Sequence, residues 1–216
     1  LMTNLITLTN PQSPVSEAYR TFRTNLMFYS TDKPLHAILI TSVSAPEDKS
    51  DVVANLAVTL AQSGHKTILV DADLRRPSQH TIWGVDNARG FTTMMTESAT
   101  LANPPLVATS VENLSLLPSG ALPPVPSDLL SNQRMSEIIG ILKARADYVI
   151  FDAPPILSAT DASLLASKLD GVVLAVRAGK TRRDHLSQAQ QSLARVHVKL
   201  LGTILTNAPR ERAKKY

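Results

Sequence analysis

Lys49 and Ser50 stand side by side at the start of a stretch whose apolar residues, Val52, Val53, Leu56, Ala57 and Leu60, recur at helical spacing. Asp71 closes the short apolar run Thr67-Ile68-Leu69-Val70, and Asp73 follows two residues later. Asp152 closes Tyr148-Val149-Ile150-Phe151, and Asn207 follows the last apolar run. Each of these residues falls where a buried strand gives way to a loop. In folds of parallel strands and helices, ligands bind beyond the carboxyl ends of the strands. One cation, one hydroxyl, three carboxylates and an asparagine therefore converge on a single edge. Phosphate with magnesium suits that set. A helix start offers free amides to an anion, Lys49 can neutralise phosphate charge, and the Ser50 hydroxyl can face Mg²⁺. Asp73 and Asp152 supply the oxygen ligands a hard cation takes, directly or through its waters. Asp71 could orient or deprotonate an attacking hydroxyl. A single strand-end aspartate often does no more than cap a turn or helix; three of them beside Lys49-Ser50 argue for chemistry.

The elements that position these residues follow from the apolar pattern. Tyr19, Phe22, Leu26 and Tyr29 predict a helix over Ser16–Tyr29 with Ser16 as its cap. Strands are expected at 37–41, 67–70, 114–117, 148–151, 172–176 and 199–206, and helices at 49–62, 134–145, 161–167 and 183–195. Short helical pieces are expected at 79–83 and 91–96. Residues 118–126, rich in proline, read as one rigid loop. Strands alternating with helices predict an α/β fold, a three-layer sandwich with a mostly parallel sheet and helices on both faces. The expected organisation is an N-terminal extension over 1–15, a single domain over 16–210 and a basic tail over 211–216.

Composition narrows the function. The 216 residues suit one core, and with 44% hydrophobic and 19% charged residues the chain is neither disordered nor fibrous. No apolar run approaches the ~18–20 residues of a membrane-spanning helix, and the opening does not read as a secretory signal. With no cysteine, disulfides, thiolate metal sites and a cysteine nucleophile are excluded. The five histidines, His36, His65, His80, His185 and His197, show no ligand-like spacing. The net charge of +4 comes from dispersed Lys and Arg with few aromatics to stack bases, so no nucleic-acid partner is expected.

The order of these segments resembles the bacterial tyrosine kinases of the capsule and exopolysaccharide export class, a P-loop ATPase family related to MinD and ParA. The resemblance runs from Pro14 to Arg210. Ile68-Leu69-Val70-Asp71-Ala72-Asp73-Leu74-Arg75-Arg76-Pro77 is similar to that family's Walker A′ motif, and Val149-Ile150-Phe151-Asp152-Ala153-Pro154-Pro155 to its Walker B segment. The resemblance implies ATP and Mg²⁺ as cofactors and a P-loop NTPase-like fold. It implies Asp71, Asp73 and Lys49 as catalytic residues and Ser50, Asp73 and Asp152 as metal ligands. Nucleotide contacts are expected from Pro46, Glu47, Asp48, Lys49, Ser50 and Asp51 on the loop, with Asn207 at the adenine and Arg210 nearby. Glu17, Arg20 and Arg23 are similar to the ring-forming signature of the family, which implies a homo-oligomer; read alone, they are a charged helix face. Family members also imply a transmembrane polysaccharide co-polymerase as activator and a cytoplasmic location at the membrane's inner face through that partner. Family members carry a C-terminal cluster of tyrosines, and the resemblance makes Tyr216 the phosphoacceptor candidate in this sequence.

The phosphate loop departs from the family. The pattern G-x-x-x-x-G-K-[ST] would put glycines at positions 43 and 48, where this chain has Val43 and Asp48, and no glycine precedes Gly64. Like charges about 4 Å apart repel by about 4 kcal/mol at an effective dielectric of about 20, so Asp48 opposes a phosphate beside it. Asp51, Pro46 and Glu47 acidify and stiffen the same loop. Three readings follow. The first is an autophosphorylating tyrosine kinase that still binds Mg-ATP. The second is a pseudokinase that serves as a ring-forming partner of a membrane co-polymerase. The third is a MinD/ParA-like positioning ATPase, against which Ser44 stands where that group carries a signature lysine.

Overall fold

The structure, a computed structural model, describes residues 4–29, 34–44 and 48–208. The apolar runs become strands β1 (Ala37–Ser42), β2 (Thr67–Asp71), β3 (Val107–Ala108), β4 (Leu114–Leu117), β5 (Tyr148–Asp152), β6 (Gly171–Arg177) and β7 (Leu200–Thr206). Among the described residues they form one seven-stranded sheet in the order β3-β4-β2-β5-β1-β6-β7. Every pairing is parallel except β3 with β4, an antiparallel edge. The α/β sandwich expected from the alternating pattern is the fold observed.

Successive residues of each strand feed opposite cores, as the period of two requires. Ile38, Ile40, Leu69, Ile150 and Val173 pack under α1 (Ile6–Thr9), α2 (Pro14–Met27), α3 (Lys49–Gln62) and α4 (Gln79–Trp83). Leu39, Val70, Phe151, Val172 and Leu174 pack on the other face. Residues of α5 (Phe91–Thr96), α7 (Pro126–Ser131), α8 (Arg134–Lys143), α9 (Asp161–Ala166) and α10 (Arg183–Arg195) cover that side. A short α6 (Ala99–Ala102) links α5 to β3. With helices on both faces, the central strands are buried throughout, which is why they read as continuous apolar runs.

Several local expectations change. The second helix starts at Pro14, and its cap is Ser13, whose Oγ accepts from the Ser16 amide at 3.1 Å. Ser16 is instead buried and donates to the Asn10 carbonyl at 2.7 Å. Residues 1–15, read as an extension, contribute buried Leu5 and Thr7; the Thr7 hydroxyl donates to Asn55 Oδ1 on α3 at 2.8 Å. The proline-rich loop ends one residue early, because Pro126 opens α7 at a position where a missing N–H costs nothing. The elements α1, α6 and β3 carried no periodic signal, being only two to four residues long.

At the amino edge of the sheet Asp170 ties down the start of β1. It accepts from the His36 and Ala37 amides at 2.9 and 2.8 Å and from Lys143 Nζ at 3.1 Å. Burial works against its charge, but these donors win and hold its pKa below the ordinary 3.8. A carboxyl whose folded pKa is depressed contributes stability above its unfolded pKa and loses it as pH falls through the folded one. Asp170→Asn is therefore expected to cost about 1–3 kcal/mol at pH 7 in urea unfolding. The gap from the unaltered protein should close as the pH drops below 3.8.

Candidate functional site

The carboxyl ends of β2, β5 and β1 lie side by side, with Asp152 in register with both Asp71 and Ile40. Register partners on parallel strands point to the same face, here the one covered by α3. Both aspartates are fully buried, facing the first turn of that helix. Lys49, at the first position of α3, is 8% exposed and reaches back to the sheet. Its Nζ donates to Asp73 Oδ2 at 3.3 Å and makes a short ion pair with Asp152 Oδ1. Burial works to lower the Lys49 pKa, yet the charges of Asp152 and Asp73 outweigh it and hold the pKa above the usual lysine value. Lys49, Asp73 and Asp152, far apart in the chain, thus meet at this edge.

Asp71 is held differently. Its Oδ2 accepts the amides of Ser78 and Gln79 at 3.0 and 2.9 Å, so it caps the start of α4 as well as closing β2. Its Oδ1 is buried and has no hydrogen-bond partner among the described residues. Burial first, then the neighbouring charge of Asp152, pushes the pKa of Asp71 up to about 7. Asp73 Oδ1 accepts from the Arg76 amide at 3.0 Å, which turns the chain sharply after β2.

Asp48 keeps glycine's conformation without being glycine. Its φ of 54° and ψ of 26° lie in the left-handed region, where aspartate is among the few side-chain-bearing residues tolerated. It makes no side-chain cap for α3. Its carboxylate instead pairs with Arg177 at the end of β6, Oδ1 to Nη1 at 3.6 Å. That contact exists because β6 lies next to β1 in the sheet. Asp51 is exposed one turn along, its pKa raised by burial, Asp48 and Asp152. Tyr19 of α2 lies near both; burial and the charges of Asp51 and Asp48 push it up to about 12.

Asn207 is exposed just past β7 with φ 51°. Glu17 and Arg20 pair with each other at 2.7 Å on α2, and Arg23 Nη1 donates to the Thr59 carbonyl of α3 at 3.1 Å. Pro46, Glu47, Arg210 and Tyr216 lie outside the described residues. Two cavities, about 360 and 260 Å³, open at the opposite edge, near Lys66 and Arg145 and near Pro34 and Lys199.

A family model described as an AAA domain matches residues 46–204. The tyrosine-protein kinase YwqD of Bacillus subtilis is 40% identical over 213 residues, covering 99% of this chain and 90% of the relative. The chain belongs to the bacterial tyrosine kinase family. A putative tyrosine-protein kinase of Staphylococcus aureus, CapB, is 34% identical over 206 residues, 95% of this chain and 90% of CapB. Among solved structures, the chimerical protein CapA2B2 superposes with a TM-score of 0.90 at 34% identity, covering 95% of this chain and 90% of that one. The septum site-determining protein MinD of Pyrococcus horikoshii, complexed with Mg-ADP, superposes at 0.67 with 25% identity, covering 82% of this chain and 72% of MinD.

Within this tyrosine kinase fold, three side chains at the edge escaped sequence reasoning. Gln79 is fully buried; its Nε2 donates to Asp152 Oδ2 at 2.8 Å and to the Ser50 carbonyl at 2.9 Å. Asp161, also fully buried, takes a two-pronged ion pair from Arg75 at 2.8 and 3.0 Å, tying the loop after β2 to α9. Arg177 is the third. Only Gln79 had a signal, a polar residue at the inward position of a short helix. Among the described residues no three His, Asp or Glu side chains stand as a metal site. The Lys49 ammonium lies between Asp73 and Asp152.

Proposed function

We propose that this domain binds Mg-ATP, more weakly than a glycine-bearing loop would, and transfers the γ-phosphoryl group to a tyrosine hydroxyl in the control of capsule or exopolysaccharide synthesis. The observation that carries this reading is the meeting of Lys49, Asp73 and Asp152 at the start of α3 despite the loss of the loop glycines. Lys49 donates to phosphate oxygens, and Ser50, Asp73 and Asp152 hold Mg²⁺. The donor set fits, since Mg²⁺ takes one or two carboxylates and fills the rest with phosphate oxygens and water. When bound, the ion neutralises charge on the phosphates. The tyrosine oxygen forms its bond to the γ-phosphorus, the β–γ bridging bond breaks, and Asp71 accepts the phenolic proton. Catalysis is then mainly positioning and charge neutralisation. Support comes from the family membership and from the Mg-ADP carried by the similar fold of MinD.

By the same family resemblance, Glu17, Arg20 and Arg23 contact a neighbouring copy, Asn207 and Arg210 lie at the base, and Tyr216 is a phosphoacceptor. The resemblance also implies that a membrane co-polymerase activates the domain and brings it to the inner membrane face. Among the described residues no helix is long and apolar enough to cross a membrane itself.

A pseudokinase is the second reading, favoured by the two carboxylates, Asp48 and Asp51, at the helix start where phosphate would lie. Calorimetric titration of the unaltered protein with ADP decides between them. Saturable binding with Kd in the micromolar range, stronger than about −5 kcal/mol and weakened at least tenfold by EDTA, is expected. No heat at millimolar ADP would leave the ring-forming partner as the function.

A further inference from the structure

Gln79 occupies the middle of the candidate site, yet neither the Walker-type motifs nor the family resemblance assigns it a role. Its side-chain nitrogen joins the β5 end, through Asp152 Oδ2, to the first turn of α3, through the Ser50 carbonyl. Its backbone amide binds Asp71 Oδ2 at the β2 end. One residue therefore spans three elements that converge on the edge. Its amide oxygen, Oε1, is buried and has no hydrogen-bond partner among the described residues, and the same is true of Asp71 Oδ1. Two buried acceptors lacking donors in one small region are costly, because each forfeits its hydration. A buried amide also has a cheaper alternative in an apolar side chain of the same shape. The combination points to a donor supplied from outside the chain.

We propose that Gln79 is a positioning residue for the metal: it holds Asp152 by one oxygen so that the other is free to face Mg²⁺, and its Oε1 accepts a hydrogen bond from a water of the ion. The division of labour at Asp152 supports this. Lys49 occupies Oδ1 and Gln79 occupies Oδ2, so when Lys49 serves a phosphate the carboxylate remains oriented by Gln79 alone. Waters polarised by a divalent cation are strong donors, and groups that orient metal ligands change metal affinity about 10–100-fold when removed. The inference rests on the kinase reading for the presence of a metal, and its test keeps the two apart.

Gln79→Met preserves volume and removes both amide functions. ADP affinity is measured with Mg²⁺ and with EDTA, and Mn²⁺ alone is titrated by its electron paramagnetic resonance signal. Gln79→Met is expected to weaken Mg-dependent ADP binding and Mn²⁺ binding by about tenfold or more, while metal-free ADP binding moves less than about twofold. Equal losses with and without metal would make Gln79 a plain structural residue and overturn the inference, as would unchanged metal affinity. If the unaltered protein takes Mn²⁺ but no nucleotide, the kinase reading falls and the Mn²⁺ comparison still judges Gln79. If it takes neither, both fall. Should Gln79→Met not fold, the unaltered protein supplies the readout: the Gln79 side-chain amide resonance should shift with Mg-ADP and not with ADP alone, and an unmoved resonance overturns the proposal.

Discussion

Asp48→Gly is expected to tighten Mg-ADP binding by more than tenfold. The reason is electrostatic before it is steric. A carboxylate about 4 Å from a phosphate charge opposes binding by about 4 kcal/mol at an effective dielectric of about 20. Arg177 offsets part of that, since it pairs with Asp48 at 3.6 Å, but the pair is partly exposed, so its relief is incomplete. If half the repulsion survives, its removal is worth about 2 kcal/mol, a factor of roughly 30 in Kd. The backbone adds to the gain, because Asp48 sits at φ 54°, a region that suits glycine. Asp48→Asn separates the two contributions, as it removes the charge and keeps a side chain that tolerates the left-handed region. Most of the gain should appear already in Asn. Arg177→Ala should act in the opposite direction by unmasking Asp48, more so at low ionic strength. Calorimetry in 50 mM salt reads all three (about a 14 Å Debye length), and an Asp48→Gly protein that binds no tighter would show that the loop, not the charge, limits affinity.

Lys49→Met is expected to lower the unfolding free energy by about 3–5 kcal/mol as well as to remove nucleotide binding. Phosphate-binding lysines are usually thought of as ligands for nucleotide only. Here the ammonium is buried against two carboxylates, of which Asp152 is wholly buried and Asp73 nearly so. Taking away the cation leaves two like charges facing each other without water, next to a third carboxyl in Asp71. The double variant Lys49→Met with Asp152→Asn should recover a large part of the loss, since the orphaned charge then goes too, and Gln79 Nε2 keeps a carbonyl oxygen to meet. Urea unfolding of the single and double variants without nucleotide checks this. A Lys49→Met protein within 1 kcal/mol of the unaltered one (about a fivefold change in the folding constant) would mean that the lysine faces solvent.

Much of this architecture was legible in the chain before any coordinates. The runs that became β1, β2, β4 and β5 are continuous and apolar because they are buried on both faces, and such runs are hard to mistake when helices of opposite period lie between them. The helix starting at Lys49 and the one starting at Arg183 run as their spacing predicted. Reading failed where pattern was too short to have a period, at α1, α6 and β3, and where the helix cap depended on a neighbour three residues away, as with Ser13 and Ser16. The contact of Thr7, within the N-terminal extension, with Asn55 of α3 leaves no trace in local composition.

The chain alone determined that Lys49, Ser50, Asp71, Asp73 and Asp152 lie at strand ends on one edge, since strand direction and alternation follow from local chemistry. Only the tertiary structure decided what those groups do to one another. The turning of Asp48 toward Arg177 requires β1 and β6 to be neighbours. The pairing of Arg75 with Asp161 and the bridge from Gln79 to Asp152 likewise join residues distant in sequence. Such contacts arise from strand order, and strand order is set by how the helices cross the sheet, which no window of neighbouring residues encodes. The lost glycines were plain in the sequence; the left-handed turn that Asp48 makes in their place, with its charge drawn aside by an arginine from another strand, was visible only once the sheet had closed around it.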